Sequence, residues 1–312
     1  MTVTHDAAVL SAQHQTSVAP DKILHSANAG VIVERVGQLR GDFRSEGRQF
    51  ARELAEYMNT NYAGLVTVFL YEETFGTKDL LHWFIHLKSF DAYDTLLRMG
   101  TRDEGWRDLI LRHRIPPERG GGGWERMFLD AGLRETVLLP QFTGMYGTGD
   151  ATPPAPGDRL GGAAVVPPAQ HQTRLAPEEI LHSANAGIII HRYGQLRYGL
   201  RAEGRQFARD VAEMINEQQR GEVTVFLYEE AFGRSDRIHW LLHLKSLSSY
   251  YAMIDMRAFM KPEVLDVYTR ERIAPEKGGG TWDRMFIDAT LTDIALTPQH
   301  WGMHATQGAK SS

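Results

Sequence analysis

Long segments of this chain occur twice, 157 residues apart. ILHSANAG occupies residues 23–30 and again 180–187, and VTVFLYEE occupies 66–73 and again 223–230. AQHQT and EGRQFAR repeat at the same offset, and HWFIHLKS at 82–89 returns as HWLLHLKS. Each copy is as long as a domain, far beyond the roughly 20–50 residues of a solenoid repeat. The sequence therefore predicts two copies of one folding unit, and a site between them would take residues from both.

Composition excludes several classes of protein. The 312 residues are 42% apolar and 23% charged, as in an ordinary soluble protein, and the net charge of −5 offers no basic surface for nucleic acid. No segment approaches the roughly 18 apolar residues of a membrane span, and the N-terminus lacks the features of a signal peptide. We therefore expect a cytoplasmic protein without nucleic-acid or membrane partners. Because the chain has no cysteine, disulfides and thiolate chemistry are excluded.

The distribution of Pro, Gly and polar residues predicts the domain boundaries. They are a disordered N-terminus at 1–20, a first unit at 21–147, a Pro/Gly/Ala-rich linker at 148–176, a second unit at 177–304 and a loose tail at 305–312.

Hydrophobic periodicity predicts the same element order in each unit. In the first copy we expect strands at 28–36, 66–73, 81–88 and 124–131, and helices at 46–59 and 91–112, the second helix interrupted near 100–105. That order is β-α-β-β-α-β, which is the ferredoxin-like arrangement and an α+β fold. The glycine runs at 120–122 and 278–280 precede the last strand and lack the pattern of a phosphate-binding loop, so we interpret them as connections.

A unit of this order, with an HWxxHLKS strand running into a helix, resembles the dimeric α/β-barrel superfamily. That superfamily includes antibiotic-biosynthesis monooxygenases, EthD-like proteins and the haem-binding chlorite dismutases. The resemblance implies that the two tandem ferredoxin-like units pack as an intrachain dimeric α/β barrel, and a homodimer of the whole chain stays possible. It also implies that a small molecule binds between sheet and helices or inside the barrel.

Strand alternation predicts one aliphatic face, packed on the helices, and one mixed face of aromatic and charged side chains. A mixed face that is covered by the other half would form a polar, aromatic-walled chamber, the usual setting of a small-molecule site. The predicted substrate-binding residues of the first copy are Asn28, Tyr71, Phe84, Lys88, Trp124, Arg126 and Asp130. Those of the second copy are Asn185, His191, Tyr228, Lys245, Trp282, Arg284 and Asp288. Two positions differ between the copies, since His191 replaces Glu34 and Leu241 replaces Phe84.

The candidate catalytic residues are histidines and glutamates on this mixed face, namely His82, His86 and Glu73 with their copies His239, His243 and Glu230. A carboxylate beside an imidazole orients it and raises its basicity, as a general base requires, although a plain cross-strand pair is the alternative. Four residues along a strand span about 13 Å, so the two histidines of one strand cannot share a metal ion. A metal site would need one of these histidines with Glu34 or Glu73, and a structural hydrogen-bonding role is the other interpretation.

The resulting hypothesis is a small-molecule enzyme of specialised metabolism. The resemblance implies an oxygenase, or a cofactor-poor cyclase or isomerase, acting on an aromatic or polyketide-like intermediate. One of the four histidines would abstract a proton, Lys88 or Arg126 would stabilise the anion, and Tyr71, Phe84 and Trp124 would stack on the ring. A requirement for no cofactor is favoured, with haem or a divalent metal as the alternative. A third hypothesis is a protein that binds a small molecule without converting it.

Overall fold

The computed structural model describes residues 9–145, 166–255 and 261–303, and within these ranges it contains eight strands and seven α-helices. The elements of the first half are β1 (Val31–Gln38), α1 (Arg44–Asn61), β2 (Val66–Phe75), β3 (Leu80–Leu87), α2 (Phe90–Leu97), α3 (Met99–Arg102), α4 (Glu104–Leu111) and β4 (Arg134–Pro140). Those of the second half are β5 (Ile188–Gln195), α5 (Arg201–Gln218), β6 (Val223–Glu230), β7 (Arg237–Leu244), α6 (Leu247–Ile254), α7 (Pro262–Thr269) and β8 (Thr292–Pro298). The predicted α+β class is confirmed.

The eight strands form one closed antiparallel barrel in the order β1-β3-β2-β8-β5-β7-β6-β4. The two halves join where β2 pairs with β8 and where β4 pairs with β6. Within each half the register is the same, since Val31 pairs with Leu87 and, 157 residues later, Ile188 pairs with Leu244. The closed barrel agrees with the architecture implied by the resemblance to the dimeric α/β-barrel superfamily.

The outer faces of the strands pack against the helices. In α1, Phe50, Leu54 and Met58 lie four residues apart on one side and are buried against Val68 and Trp83 of the sheet. A separate cluster of side chains from the opposite faces fills the barrel interior, including Ile32, Phe69, Tyr71, Phe84 and Phe226. The predicted sorting of side chains by face in the first three strands is therefore confirmed.

The prediction of the fourth strand is wrong. Residues 124–131 do not form a strand: Trp124–Met127 is a 3-10 helix, and the barrel strand is β4 at Arg134–Pro140. The preceding glycines adopt left-handed backbone angles, with φ of 94° at Gly120, and Ala131 has a φ of 56°. These turns bend the chain twice between α4 and β4, so residues 124–131 run outside the barrel.

Parts of the chain predicted to be disordered or unpacked carry structure. Ala12–Gln15 forms a 3-10 helix, and Gln15 hydrogen-bonds both the backbone N–H and the carbonyl of Leu70. Ala169–Gln172, inside the predicted linker, forms an equivalent 3-10 helix, and Gln172 hydrogen-bonds the backbone N–H and the carbonyl of Leu227. The predictions for 1–8, 148–165 and 305–312 lie outside the described residues. No helix in the described ranges has the length and apolar character needed to cross a membrane.

Candidate functional site

The barrel interior is filled by side chains, which corrects the prediction of an open chamber. Tyr71, Phe84 and Phe226 have no exposed surface, and the rings of Tyr71 and Phe84 lie 5.2 Å apart. The hydroxyl of Tyr71 donates to the carbonyl of Ser183 across the barrel, and that of Tyr228 donates to the carbonyl of Ser26. An eight-stranded barrel is just wide enough for its inward side chains to fill it. These rings therefore form a core and do not wall a substrate chamber.

A row of carboxylates and imidazoles crosses one end of the barrel. Oε1 of Glu34 lies 2.8 Å from Nδ1 of His82 and 3.2 Å from Nδ1 of His191. Nε2 of His191 lies 2.9 Å from Nδ1 of His239. The row ends at Glu73, whose Oε1 is 3.4 Å from His82 Nε2, and at Glu230, whose Oε2 is 3.7 Å from His239 Nε2. We call these six residues the Glu–His row.

Charge in the Glu–His row is concentrated near Glu34. Burial would raise the pKa of Glu34, but the charge and hydrogen bond of His191 and the hydrogen bond of His82 hold it well below its usual value. Burial opposes a charge on His82 too, yet hydrogen bonds to Glu34 and Glu73 raise its pKa. By contrast, burial lowers the pKa of His239 to about 4. The row therefore contains a buried ion pair flanked by a neutral imidazole.

At the other end of the barrel, each half supplies a serine to a histidine of the other half. Ser183 Oγ lies 2.8 Å from His86 Nε2, and Ser26 Oγ lies 2.9 Å from His243 Nε2. Nδ1 of His86 faces the carbonyl of Thr67, which assigns the proton to Nδ1 and makes the serine hydroxyl the donor to Nε2. Burial lowers the pKa of both histidines to about 3. Although these pairs resemble nucleophile–base pairs, all four side chains are fully buried, so they lock the two halves together.

These serine contacts were not predicted from the sequence. Ser26 and Ser183 belong to the two copies of the ILHSANAG segment. The segment forms a turn before β1, and the imidazoles of His25 and His182 from the two copies stack with their centroids 3.6 Å apart. Repetition of a polar segment in both copies was the available signal, because a barrel formed from two copies brings equivalent segments together.

Several predicted substrate-binding residues lie outside the barrel, which corrects their assignment. Arg126 and Arg284 donate to carbonyls of the glycine runs at 120–121 and 278–279. Asp130 and Asp288 are exposed and pair with Arg40 and Arg197. The exposed Lys88 and Lys245 follow the ends of β3 and β7, and Lys245 binds Glu222. The amides of Asn28 and Asn185 stabilise the turns before β1 and β5 by bonding to backbone groups.

Of the residues proposed as metal ligands, His82 contacts both Glu34 and Glu73, but through opposite ring nitrogens, so the three side chains do not surround one point. His82 contacts Glu34 at one end of the barrel, whereas His86 contacts Ser183 at the other. No group of three or more His, Asp or Glu side chains able to hold a metal ion occurs in residues 9–145, 166–255 and 261–303. The metal alternative therefore has no ligand set in the described chain.

A large apolar space lies on the outer face of the first half, between the sheet and its helices. This cavity has a volume of about 530 Å³, and we call it the first outer cavity. Its walls are formed mainly by aromatic and aliphatic side chains from α1, α4, β3 and the segment before β4: Phe50, Leu54, Trp83, Trp106, Ile110, Trp124, Phe128 and Leu133. Arg35, Arg134 and Glu135 complete it, and Arg35 Nε donates to Glu135 at 2.7 Å. The indole N–H of Trp124 is buried with no hydrogen-bond partner in the described chain.

The equivalent space in the second half, the second outer cavity, is smaller at about 300 Å³. Its side chains include Trp282, Trp240 and the bidentate Arg192–Asp293 pair, equivalent to the groups of the first. The main difference is Tyr268, which takes the place of Ile110 and lies against Phe207 and Trp282 at centroid distances of 6.0 and 6.1 Å. The ring of Tyr268 thus occupies space that stays open beside the smaller Ile110 in the first half.

The outer cavities do not fit a haem group. Haem iron needs an axial ligand such as His, Cys, Met or Tyr. None of these residue types lines the first outer cavity, and the strand histidines of both halves point into the barrel. In the second outer cavity the candidate ligand is Tyr268, whose pKa is raised by burial, and this opposes the phenolate form that would bind iron.

The chain is therefore a closed α+β barrel whose interior is filled by side chains, with buried polar contacts at both ends. Two cavities with aromatic walls lie between the sheet and its helices. Residues 1–304 match a family model described as a family of unknown function, DUF6039, and the chain belongs to that family. No curated protein matches the chain.

Solved structures with a similar outline include three of different descriptions. A proposed monooxygenase from Fusobacterium nucleatum has 9% identity and a TM-score of 0.49, over 87% of this chain and 93% of that one. An anthrone oxidase-like protein has 8% identity and a TM-score of 0.46, over 89% and 94%. A chlorite dismutase variant from Candidatus Nitrospira defluvii has 12% identity and a TM-score of 0.39, over 86% and 92%. Likeness at this level does not indicate a reaction for this chain.

Proposed function

We propose that this protein is a small-molecule enzyme of the oxygenase or cofactor-poor cyclase type, and that its aromatic or polyketide-like substrate binds in the first outer cavity. The observation that carries the proposal is the aromatic wall of that cavity together with the unpartnered indole N–H of Trp124. Ligand sites are mostly apolar hollows with a few polar groups that fix orientation. The resemblance to the dimeric α/β-barrel superfamily supplies the reaction class, and the reaction belongs to specialised metabolism.

In this proposal four side chains that line the first outer cavity have chemical roles. Trp83 and Trp124 lie against the faces of a fused-ring substrate. The N–H of Trp124 is covered in the free protein, and in this proposal the indole turns to donate it to a substrate oxygen. Glu135 accepts a proton from a phenol or enol, and Arg35 stabilises the resulting anion. Deprotonation makes the ring electron-rich, as its reaction with dioxygen or its cyclisation requires.

This assignment moves the chemistry away from the histidines proposed from the sequence. His82, His86, His239 and His243 lie on the inner face of the sheet, at most 3% exposed, whereas the cavity lies on the outer face. We propose that His86 and His243 hold the two halves together through their serine contacts, and that His82, His239, Glu73 and Glu230 support the Glu34–His191 contact between the halves. Their contribution to activity is then indirect, through the shape of the barrel.

The experiment is turnover of fused-ring phenols, followed by oxygen consumption and product mass. Oxygen uptake with an oxygenated product supports an oxygenase, and an isomeric product without uptake supports a cyclase or isomerase. Tight binding with no product favours the alternative of a binding protein. Trp124→Phe keeps the ring but removes the N–H, and we expect it to lower kcat/KM by about tenfold, as for one lost hydrogen bond. The matched control is Trp282→Phe in the second outer cavity, which should turn over normally.

We also propose that the barrel consists of two ferredoxin-like units that arose by tandem duplication. In each half the strand order is the same, β4-β1-β3-β2 and β8-β5-β7-β6, and the pairing register repeats at an offset of 157. In this proposal the second copy supplies the partner that a dimeric barrel takes from another chain. Substitutions that differ between the copies, such as Ile110 in the first and Tyr268 in the second, would leave only the first outer cavity open to a ligand.

A further inference from the structure

Arg52 on α1 is a buried cation without a counter-ion among the residues that the structure describes. Its side chain is 7% exposed, and Nε and Nη2 have no hydrogen-bond partner in the described chain. Burial alone lowers its pKa, to about 10, with no carboxylate to oppose the effect. A buried donor that is left unpaired costs about 1–3 kcal/mol, and more when it is charged. Such an arrangement is retained at a cost to stability, which suggests that something binds there.

Other arginines of this chain show what the Nε–Nη2 edge binds. In Arg48 and Arg205 that edge takes both oxygens of a buried glutamate, with Nε to oxygen distances of 2.9 and 2.8 Å. In Arg192 it takes both oxygens of Asp293, at 2.7 Å each. This side-on geometry matches a carboxylate. Arg52 has the same edge unpaired.

The equivalent residue in the second half provides an internal comparison. Arg209 donates from Nη1 to Gln141 at 2.8 Å and from Nη2 to Gln206 at 2.7 Å. In the first half the glutamine equivalent to Gln206 is Gln49, and both glutamines donate to the acidic residue four positions on, Asp210 at 2.7 Å and Glu53 at 2.9 Å. Only Gln206 also accepts from its arginine. Two similar sequences thus give one arginine that is bonded by side chains and one that is not.

Arg52 lines a cavity of about 500 Å³, which we call the Arg52 cavity. The ring of Trp301, from the second copy, covers one side of the guanidinium, with Cζ 4.5 Å from the ring centroid, and the equivalent residue of the first copy is Thr143. Arg112 also lines the cavity, and burial together with the charge of Arg52 lowers the pKa of His300 nearby. Two carboxylates share the walls, but Glu53 is paired with Arg114 at 2.6 Å and burial raises the pKa of Glu56.

We propose that the Arg52 cavity is a second binding site, for a small organic carboxylate bound by the guanidinium edge of Arg52 beside Trp301. A single negative charge matches one unpaired guanidinium, whereas a phosphate dianion would meet the glutamates of the walls. Nε and Nη2 are themselves covered, so the guanidinium turns toward the cavity when the ligand enters. The site is separate from the first outer cavity and does not depend on the reaction proposed there.

The test uses the whole protein with benzoate, benzamide as its neutral isostere, and inorganic phosphate, followed by calorimetry and by thermal unfolding. We expect benzoate to bind in the millimolar range or tighter and to raise Tm, while benzamide and phosphate do not. Arg52→Lys keeps the charge but loses the bidentate edge, so benzoate should bind at least about tenfold more weakly. Without ligand, Arg52→Met should raise Tm because it removes an uncompensated charge, whereas Arg209→Met should lower it.

Four results would overturn the proposal. Three concern binding: benzoate does not bind, phosphate binds in preference to benzoate, or Arg52→Lys binds benzoate as tightly as the wild type. A fall in Tm for Arg52→Met equal to that for Arg209→Met would show that Arg52 serves packing only. Thr143, the counterpart of Trp301, gives a second variant that should fold: Trp301→Thr should weaken benzoate binding without lowering the Tm of the free protein.

Discussion

Exchanging Glu34 and His191 tests the physical basis of the barrel interior. These residues occupy equivalent positions in the two copies and contact one another at 3.2 Å, with Glu34 only 5% exposed. Glu34→His removes the buried carboxylate, and His191→Glu places two carboxylates together. Removing one partner of a buried pair costs about 3–5 kcal/mol, so we expect each single variant to lose about 3 kcal/mol of unfolding free energy.

The double variant, Glu34→His with His191→Glu, should recover much of that loss. His82 and His239 flank the two positions in the same way, so the reversed pair meets nearly the same surroundings. Independent changes would sum to about 6 kcal/mol, and we expect about 3 kcal/mol or less, a coupling energy of about 3 kcal/mol. Urea unfolding of the four proteins measures this as a shift in midpoint at constant m. A double variant that loses the full 6 kcal/mol would refute the equivalence of the two positions.

Three further predictions concern pH, ligand access and a buried ion pair. Burial lowers the pKa of His86 and of His243 to about 3, so below about pH 6.5 the unfolded chain binds protons that the folded chain does not. The free energy of unfolding should therefore fall by about 1.4 kcal/mol per pH unit for each histidine between pH 6 and 4, and urea titrations that show no fall would contradict this. Ile110→Tyr should fill the first outer cavity as Tyr268 fills the second and abolish binding of fused-ring phenols by calorimetry with little change in Tm. Arg48→Met should lower the unfolding free energy by about 3–5 kcal/mol in urea, and a loss below 1 kcal/mol would show that its ion pair is dispensable.

Much of the fold follows from the sequence because the signals there are local. Alternation in VTVFLYEE and HWFIHLKS determines which side chains face inward, and four-residue spacing along α1 identifies its buried side. The fourth strand was missed because RETVLLP begins with charged residues and shows no clean alternation. The more suggestive segment, WERMFLDA, is instead held outside the barrel by positive backbone angles that begin at Gly120.

The candidate site was harder to predict, for a physical reason. Polar and aromatic side chains on one face of a strand indicate burial, but they do not reveal whether the enclosed space is open or filled. Here Tyr71 and Phe84 fill it, and the first outer cavity lies behind the opposite face, whose alternating pattern is that of an ordinary aliphatic core. Contacts such as Ser183 with His86 depend on the closure of the barrel and have no local signal.

The most direct test of the proposed site is an NMR titration of the ¹⁵N-labelled protein with 2-naphthol, observing the indole N–H signals of its six tryptophans. Trp124→Phe identifies the Trp124 signal by its loss. We predict that 2-naphthol shifts this signal in a saturable way, because its hydroxyl oxygen accepts the free N–H in the first outer cavity. A Trp124 signal that stays in place while 2-naphthol binds elsewhere would contradict the account.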